Sequence, residues 1–333
     1  MNRRLILLFG MPRSGTTWIA KIFDSHPNTL YRHEPDSGGA LRPMPLATRL
    51  STANQFAPII SKFIAELPGL NTPRAAGSLP MFPKSYQSSA RLLMKRFTAL
   101  AAKASESFVG ELPVLDLIDH SKMRQIVVVW KSIESLGRLG AILRVEPGSR
   151  AVIILRHPCG YIASVLNGER NKQFSSSIAS SADYPVFHQL LQCSSNGKRN
   201  PKLHDLNKLS PVERLAWRWV LFNEIALEQT ETCERSMFVR YEDICARPVR
   251  EARNLLEFAG LEWHGQVERF IGRSTSYVSE NYYSVFKNPD ESAFKWEQHL
   301  SRHQVDAIMG IVRQSCLHKL YPSTDGLRNS LYA

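Results

Sequence analysis

The chain has 333 residues, 43% hydrophobic and 22% charged, a globular composition that excludes a disordered or fibrous chain and allows a large core without disulfides or a structural metal. Its 42 Lys and Arg against 30 Asp and Glu leave a formal charge of +12, which points to an anionic partner: nucleic acid, a membrane surface, a polyanion or a phosphorylated small molecule. The longest apolar runs, residues 5–9, 126–130 and 151–155, are far short of the ~20 needed to span a bilayer, so no transmembrane segment is expected.

At the start, Met1-Asn2-Arg3-Arg4 and five apolar residues imitate a signal peptide. Gly10-Met11-Pro12-Arg13 interrupts the run too early and no small-residue cleavage site follows, so residues 5–9 read as a first strand. Residues 16–25 then read as a helix with Trp18, Ile19, Ile22 and Phe23 at its apolar positions. Residues 40–110 are rich in Pro and Ala, with helical segments around 58–66 and 89–104. The β-branched runs 126–130 and 151–155 have the character of buried parallel strands, joined by a crossover helix over 136–145 that Pro147-Gly148 closes. Residues 170–210 are Ser-rich and basic, with Ser175-Ser176-Ser177 and Lys198-Arg199. Both irregular stretches fit insertions that select an acceptor, and the second equally fits a solvated loop. A short strand over 236–241 and a helix over 248–259 ending at Gly260 complete the pattern.

This alternation predicts a single α/β domain over 1–333, a three-layer P-loop-type fold with a central parallel sheet flanked by helices. The five cysteines (Cys159, Cys193, Cys233, Cys245 and Cys316) are odd in number, widely spaced and without a C-x-x-C pair. They read as free thiols of a cytoplasmic protein, not as a disulfide framework or a zinc site.

The most informative segment is the run from Leu7 through Gly10-Met11-Pro12-Arg13-Ser14-Gly15-Thr16-Thr17 to Trp18. A strand passing through such a loop straight into a helix aims backbone N–H groups and the positive end of the helix dipole at one point, which suits a phosphate. Gly10 and Gly15 have Walker A spacing, but Thr16 stands where that motif requires Lys. The cation sits inside the loop instead, as Arg13, able to fork onto two oxygens without a metal. Downstream, Arg156 ends a strand and Ser164 lies in the helix opened by Pro158, so the two can converge on one anion. Lys131 ends another strand, where an open α/β sheet faces its ligand crevice; a strand-capping surface lysine is the alternative.

These segments resemble the sulfotransferases that use 3′-phosphoadenosine 5′-phosphosulfate (PAPS). Residues 12–17 are similar to their 5′-phosphosulfate loop in the Arg form of the carbohydrate and tyrosylprotein branches. Residues 23–28 and His33-Glu34-Pro35 resemble the carbohydrate branch, and Arg156 with Ser164 resembles the 3′-phosphate site. The resemblance implies PAPS as donor, PAP as product, no metal, and sulfuryl transfer to a hydroxyl acceptor that is a glycan or glycolipid. A peptide tyrosine or small phenol is the alternative within that reaction class. Ser14, Gly15, Thr16, Thr17 and Trp18 would bind the nucleotide, with Arg13 at the leaving oxygen and Lys131 assisting at the sulfuryl group. Glu34 would be the base, with His33 as runner-up, provided burial lifts its pKa; pairing with Arg32 or Arg42 is its structural alternative. Tyr241, in Val239-Arg240-Tyr241-Glu242-Asp243, would lie near the nucleotide or serve as a buried aromatic. Lys295-Trp296, after a loop containing Ser284 and Lys287, resembles a late basic segment that closes over it. From other classes, a P-loop kinase or NTPase lacks its Walker lysine here, and a nucleic-acid module has no signature to support it. Oligomeric state is not legible.

Overall fold

The computed structural model describes residues 4–37, 39–109, 112–173, 178–200, 203, 205–276 and 289–322. Five strands form one parallel sheet: β1 (Arg4–Gly10), β2 (Thr29–His33), β3 (Val127–Ser132), β4 (Ser149–Leu155) and β5 (Ser236–Arg240), in the order β2-β3-β1-β4-β5. The inner strands are buried along almost their whole length, as a sheet covered on both faces requires. The predicted fold class is the observed one. β2, which ends one residue before Glu34, is not the neighbour of β1: the chain first runs to the sheet edge, and β3 later fills the gap.

Fourteen α-helices are seen among the described residues. The first six are α1 (Thr16–Asp24), α2 (Ala57–Glu66), α3 (Pro73–Ala76), α4 (Ser89–Val109), α5 (Leu139–Val145) and α6 (Pro158–Arg170). After them come α7 (Tyr184–Cys193), α8 (Ser195–Arg199), α9 (Pro211–Thr230), α10 (Tyr241–Ala246) and α11 (Pro248–Phe258). The last are α12 (Gly265–Ser276), α13 (Pro289–Phe294) and α14 (Arg302–Val312). The crossover helix α5 starts three residues later than its apolar pattern begins. Gly137 bridges to Ala47, and a Cβ there would lie 2.5 Å from the Leu46 carbonyl oxygen, so the backbone is held out of the helix.

The second insertion is more ordered than its composition suggests. Within it α7 buries Val186, Phe187 and Leu190 and packs on α9; Ser175-Ser176-Ser177 lie outside the described residues. The 20-residue α9 opens with a capping box between Ser210 and Glu213 and buries Trp217 and Trp219 against α6, α7 and α14. None of the five cysteines forms a disulfide among the described residues, and Cys159 and Cys245 are buried.

Candidate active site

The carboxyl ends of β1, β3 and β4 lead into the loop and helices that hold the candidate residues. Helix α1 starts at Gly15 with no side-chain cap and no acid in its first turn, so its leading N–H groups are left to an outside acceptor. Arg13 and Gly15 both take positive φ, +70° and +79°. At Gly15 the glycine is required twice over, because a Cβ would also fall 2.2 Å from the Tyr241 ring. That contact sets Tyr241 against the loop. Burial pushes its phenol well above the usual tyrosine value, so the ring keeps its proton. The Ser14 N–H donates to the Met11 carbonyl at 3.2 Å and closes the turn, leaving the donors for an anion to begin at Gly15. Thr16 is buried and Thr17 half-buried. Trp18 spends both its N–H groups elsewhere, the backbone one on Gly15 O at 3.1 Å and the indole on Ser274 Oγ at 3.0 Å.

Arg13, Arg156 and Ser164 form one cluster. The Arg13 Nε donates to Ser164 Oγ at 3.0 Å, and Arg156 Nη1 donates to the Arg13 carbonyl at 2.7 Å. The second Arg156 Nη reaches Ser292 O at 2.6 Å, and its guanidinium lies 5.1 Å from the Tyr241 ring centre. Its Nε is buried with no partner among the described residues. A buried guanidinium N–H without an acceptor beside an uncapped helix start is a donor set suited to an anion.

Across the sheet, Lys131 on β3 stands opposite Leu8 on β1 and His33 on β2. The Lys131 ammonium bonds to Glu34 Oε1, and Glu34 N–H donates to the Lys131 carbonyl at 2.8 Å. Burial lowers the Lys131 pKa and Glu34 pulls it back up. The other Glu34 oxygen meets Arg74 Nη1 at 3.4 Å, and His33 Nε2 lies 3.7 Å from Oε1. Neither expected partner takes Glu34: Arg32 pairs with Asp116 at 2.7 Å, and Arg42 has no recorded ion pair with it among the described residues. Glu34 itself sits at φ +45°, with its side chain 12% exposed.

The late basic segment falls differently. Lys295 is exposed, whereas its neighbour Trp296 is buried and stacks on His157 with centroids 4.9 Å apart. Ser284 and Lys287 lie outside the described residues. Three supporting groups had no singled-out role in the sequence. Asp36 is buried and accepts from Ser132 Oγ and Ser135 Oγ, both at 2.5 Å, and from Trp130 Nε1 at 3.1 Å. Glu242 accepts from the His157 N–H at 2.9 Å and the Tyr321 hydroxyl at 3.1 Å, fixing the start of α6. Arg74 arrives from the first insertion. Of these, Asp36 lies two residues beyond Glu34 and Glu242 follows Tyr241 directly, whereas Arg74 left no local trace.

A family model described as "Sulfotransferase family" matches residues 6–193. Carbohydrate sulfotransferase 3 of Rattus norvegicus is 35% identical over 100 residues, 28% of this chain and 21% of that protein. The Mus musculus protein of the same name is 42% identical over 64 residues, 19% of this chain and 14% of that one. The chain thus spans about a fifth or less of these relatives' length. Among solved structures, the sulfotransferase domain from the curacin biosynthetic pathway is 16% identical with a TM-score of 0.47, covering 94% of this chain and 97% of that one. The sulfotransferase domain of the Synechococcus PCC 7002 olefin synthase is 14% identical with a TM-score of 0.44, covering 93% and 94%. With more than half of its residues matched by the family model, the chain belongs to the sulfotransferase family.

Proposed function

We propose that this chain transfers a sulfuryl group from PAPS to a hydroxyl of a carbohydrate or glycolipid. The carrying observation is the Arg13 junction, an uncapped helix start whose loop arginine is pinned by Ser164 on one side and Arg156 on the other. PAPS supplies an activated sulfuryl group on a nucleotide phosphate that can leave. The N–H groups of Gly15, Thr16 and Thr17 hold the 5′-phosphate, and Arg13 offsets the charge that grows on the leaving oxygen. Arg156 turns its open Nε to the 3′-phosphate, with Tyr241 as the wall beside it. Glu34 accepts the proton of the acceptor hydroxyl, and Lys131 orients it and lends positive charge at the transferring group. Family membership supports the reaction class, and the local likeness to proteins named carbohydrate sulfotransferase 3 supports a glycan acceptor.

Calorimetric titration with 3′,5′-adenosine bisphosphate and with ATP plus Mg²⁺ tests the donor. Selective binding of the bisphosphate without metal is expected, and preference for Mg-ATP would return the chain to the kinase class. Glu34→Gln is expected to keep bisphosphate binding and lose ~10²–10⁴-fold in transfer of radiolabelled sulfate, the scale of a general base.

A further inference from the structure

Helix α4 packs one narrow stripe of its surface inward. Leu92, Ala99 and Ala102 are buried, and the first two form a satellite cluster with Ala76, Met81 and Val114. The opposite face shows Leu93, Phe97 and Leu100 at 68%, 73% and 55% exposure. Their spacing of four and three residues aligns them in a single stripe. Leu115, also exposed, runs beside it, its N–H donating to Thr98 Oγ1 at 3.1 Å. A helix that leaves a phenylalanine and two leucines exposed in one stripe has an apolar face with another use.

The border of that stripe is basic. Arg96 and Lys103, seven residues apart, line one flank, both exposed. Arg96, whose Nη2 donates to the Met81 carbonyl at 2.7 Å, also lines a cavity of about 380 Å³ together with Arg269 and Arg273 of α12, Phe82 and Phe270. Two nearby acids have partners: Asp116 pairs with Arg32 and Lys95, and Glu268 accepts a hydrogen bond from Trp263 Nε1 at 3.3 Å.

We propose that this face docks the protein on an anionic phospholipid bilayer, with Leu93, Phe97 and Leu100 entering the interface and Arg96, Arg269 and Arg273 holding lipid phosphates. Charge complementarity selects this occupant. A twofold contact with a second copy would set these arginines against one another, on a chain that already carries +12. A convex apolar stripe with a cationic border suits the headgroup boundary. No helix among the described residues is long and apolar enough to cross a membrane, so the contact is with the surface. The docked face adjoins the cleft through α3, which gives Ala76 to the α4 cluster and Arg74 to Glu34. It does not depend on sulfuryl transfer.

Flotation of the full chain with vesicles of phosphatidylcholine, alone or mixed with phosphatidylglycerol, tests it. The protein is expected to float with the anionic vesicles and to be released as salt rises. The double variant Phe97→Glu/Leu100→Glu should lower the bound fraction by about tenfold or more, with bisphosphate binding and melting temperature unchanged. Arg269→Ala/Arg273→Ala should remove the preference for anionic vesicles while leaving the apolar stripe intact. Failure of the wild type to float, or flotation of either double variant with anionic vesicles equal to that of the wild type, overturns the proposal. So does a wild-type dimer in light scattering that Phe97→Glu/Leu100→Glu dissociates, which would assign the face to a second copy.

Discussion

Glu34 and His33 are consecutive at the carboxyl end of β2, yet their surroundings separate them chemically. His33 engages the Tyr31 hydroxyl through Nδ1 at 2.7 Å. Burial first, and then the Lys131 charge, push its pKa well below 6.5, so at neutral pH it is a poor proton acceptor. Glu34 is instead approached by Lys131 and Arg74 and held at φ +45°, a conformation that costs a residue with a Cβ about 1–2 kcal/mol. Strain of that kind persists where the surrounding structure over-determines it, as at a functional site. His33→Gln is therefore expected to keep turnover within about threefold of the wild type, whereas Glu34→Gln loses most of it. Steady-state rates with one acceptor compare the two directly. An equal collapse in His33→Gln would move the proton to the imidazole.

The start of α1 trades helix stability for a place to put an anion. Without a cap or a first-turn acid, its dipole is uncompensated in the free protein. Thr17→Asp, at the second helical position, should raise the melting temperature by about 1–3 °C, since such a charge is worth a few tenths to one kcal/mol. The same carboxylate should weaken bisphosphate binding by about tenfold or more through like-charge repulsion. Opposite signs in the two measurements separate an anion site from a merely structural turn, and tighter binding in the variant would exclude that site. This element was legible because its determinants are contiguous: strand, loop arginine, glycine and helix follow one another within 20 residues. The β4 strand and α6, with Arg156 and Ser164 at their junction, were legible for the same reason. What the sequence did not disclose is non-local or buried on every side. The position of β2 depends on a strand that comes about 100 residues later. Helix α9 buries apolar residues around most of its circumference and leaves no clean polar face to read. Arg74 reaches Glu34 across 40 residues of an insertion with no local signal for the pairing. In the late segment the charge of Lys295 drew attention, but the adjacent indole makes the packing contact, with a histidine in α6's cap.

On the scale of the whole molecule, buried neutral histidines tie stability to pH. His157 accepts the Cys159 N–H on Nδ1 at 3.3 Å, while its Nε2 is buried without a partner among the described residues. Burial, reinforced by Arg156, lowers its pKa from 6.5 to about 3. His26 accepts the Asn28 N–H at 3.1 Å and meets the Glu262 carbonyl at 2.9 Å, so its neutral form is fully bonded, and burial lowers its pKa to about 4. The unfolded chain protonates both below about 6.5 and the native state does not. Their stabilising effect is therefore complete above that pH and is lost as pH falls toward 4 and 3. Each contributes at most about 1.4 kcal/mol per pH unit within its window. Differential scanning calorimetry at pH 5, 6 and 7 should show the melting temperature falling with pH. His157→Asn preserves a side-chain acceptor at the start of α6 and removes one titrating group. It should melt below the wild type at pH 7, yet lose stability more slowly on acidification, by about one proton's worth of slope. A variant whose stability falls as steeply as the wild type would show that the His157 imidazole is protonated in the native state and that the acid sensitivity arises elsewhere.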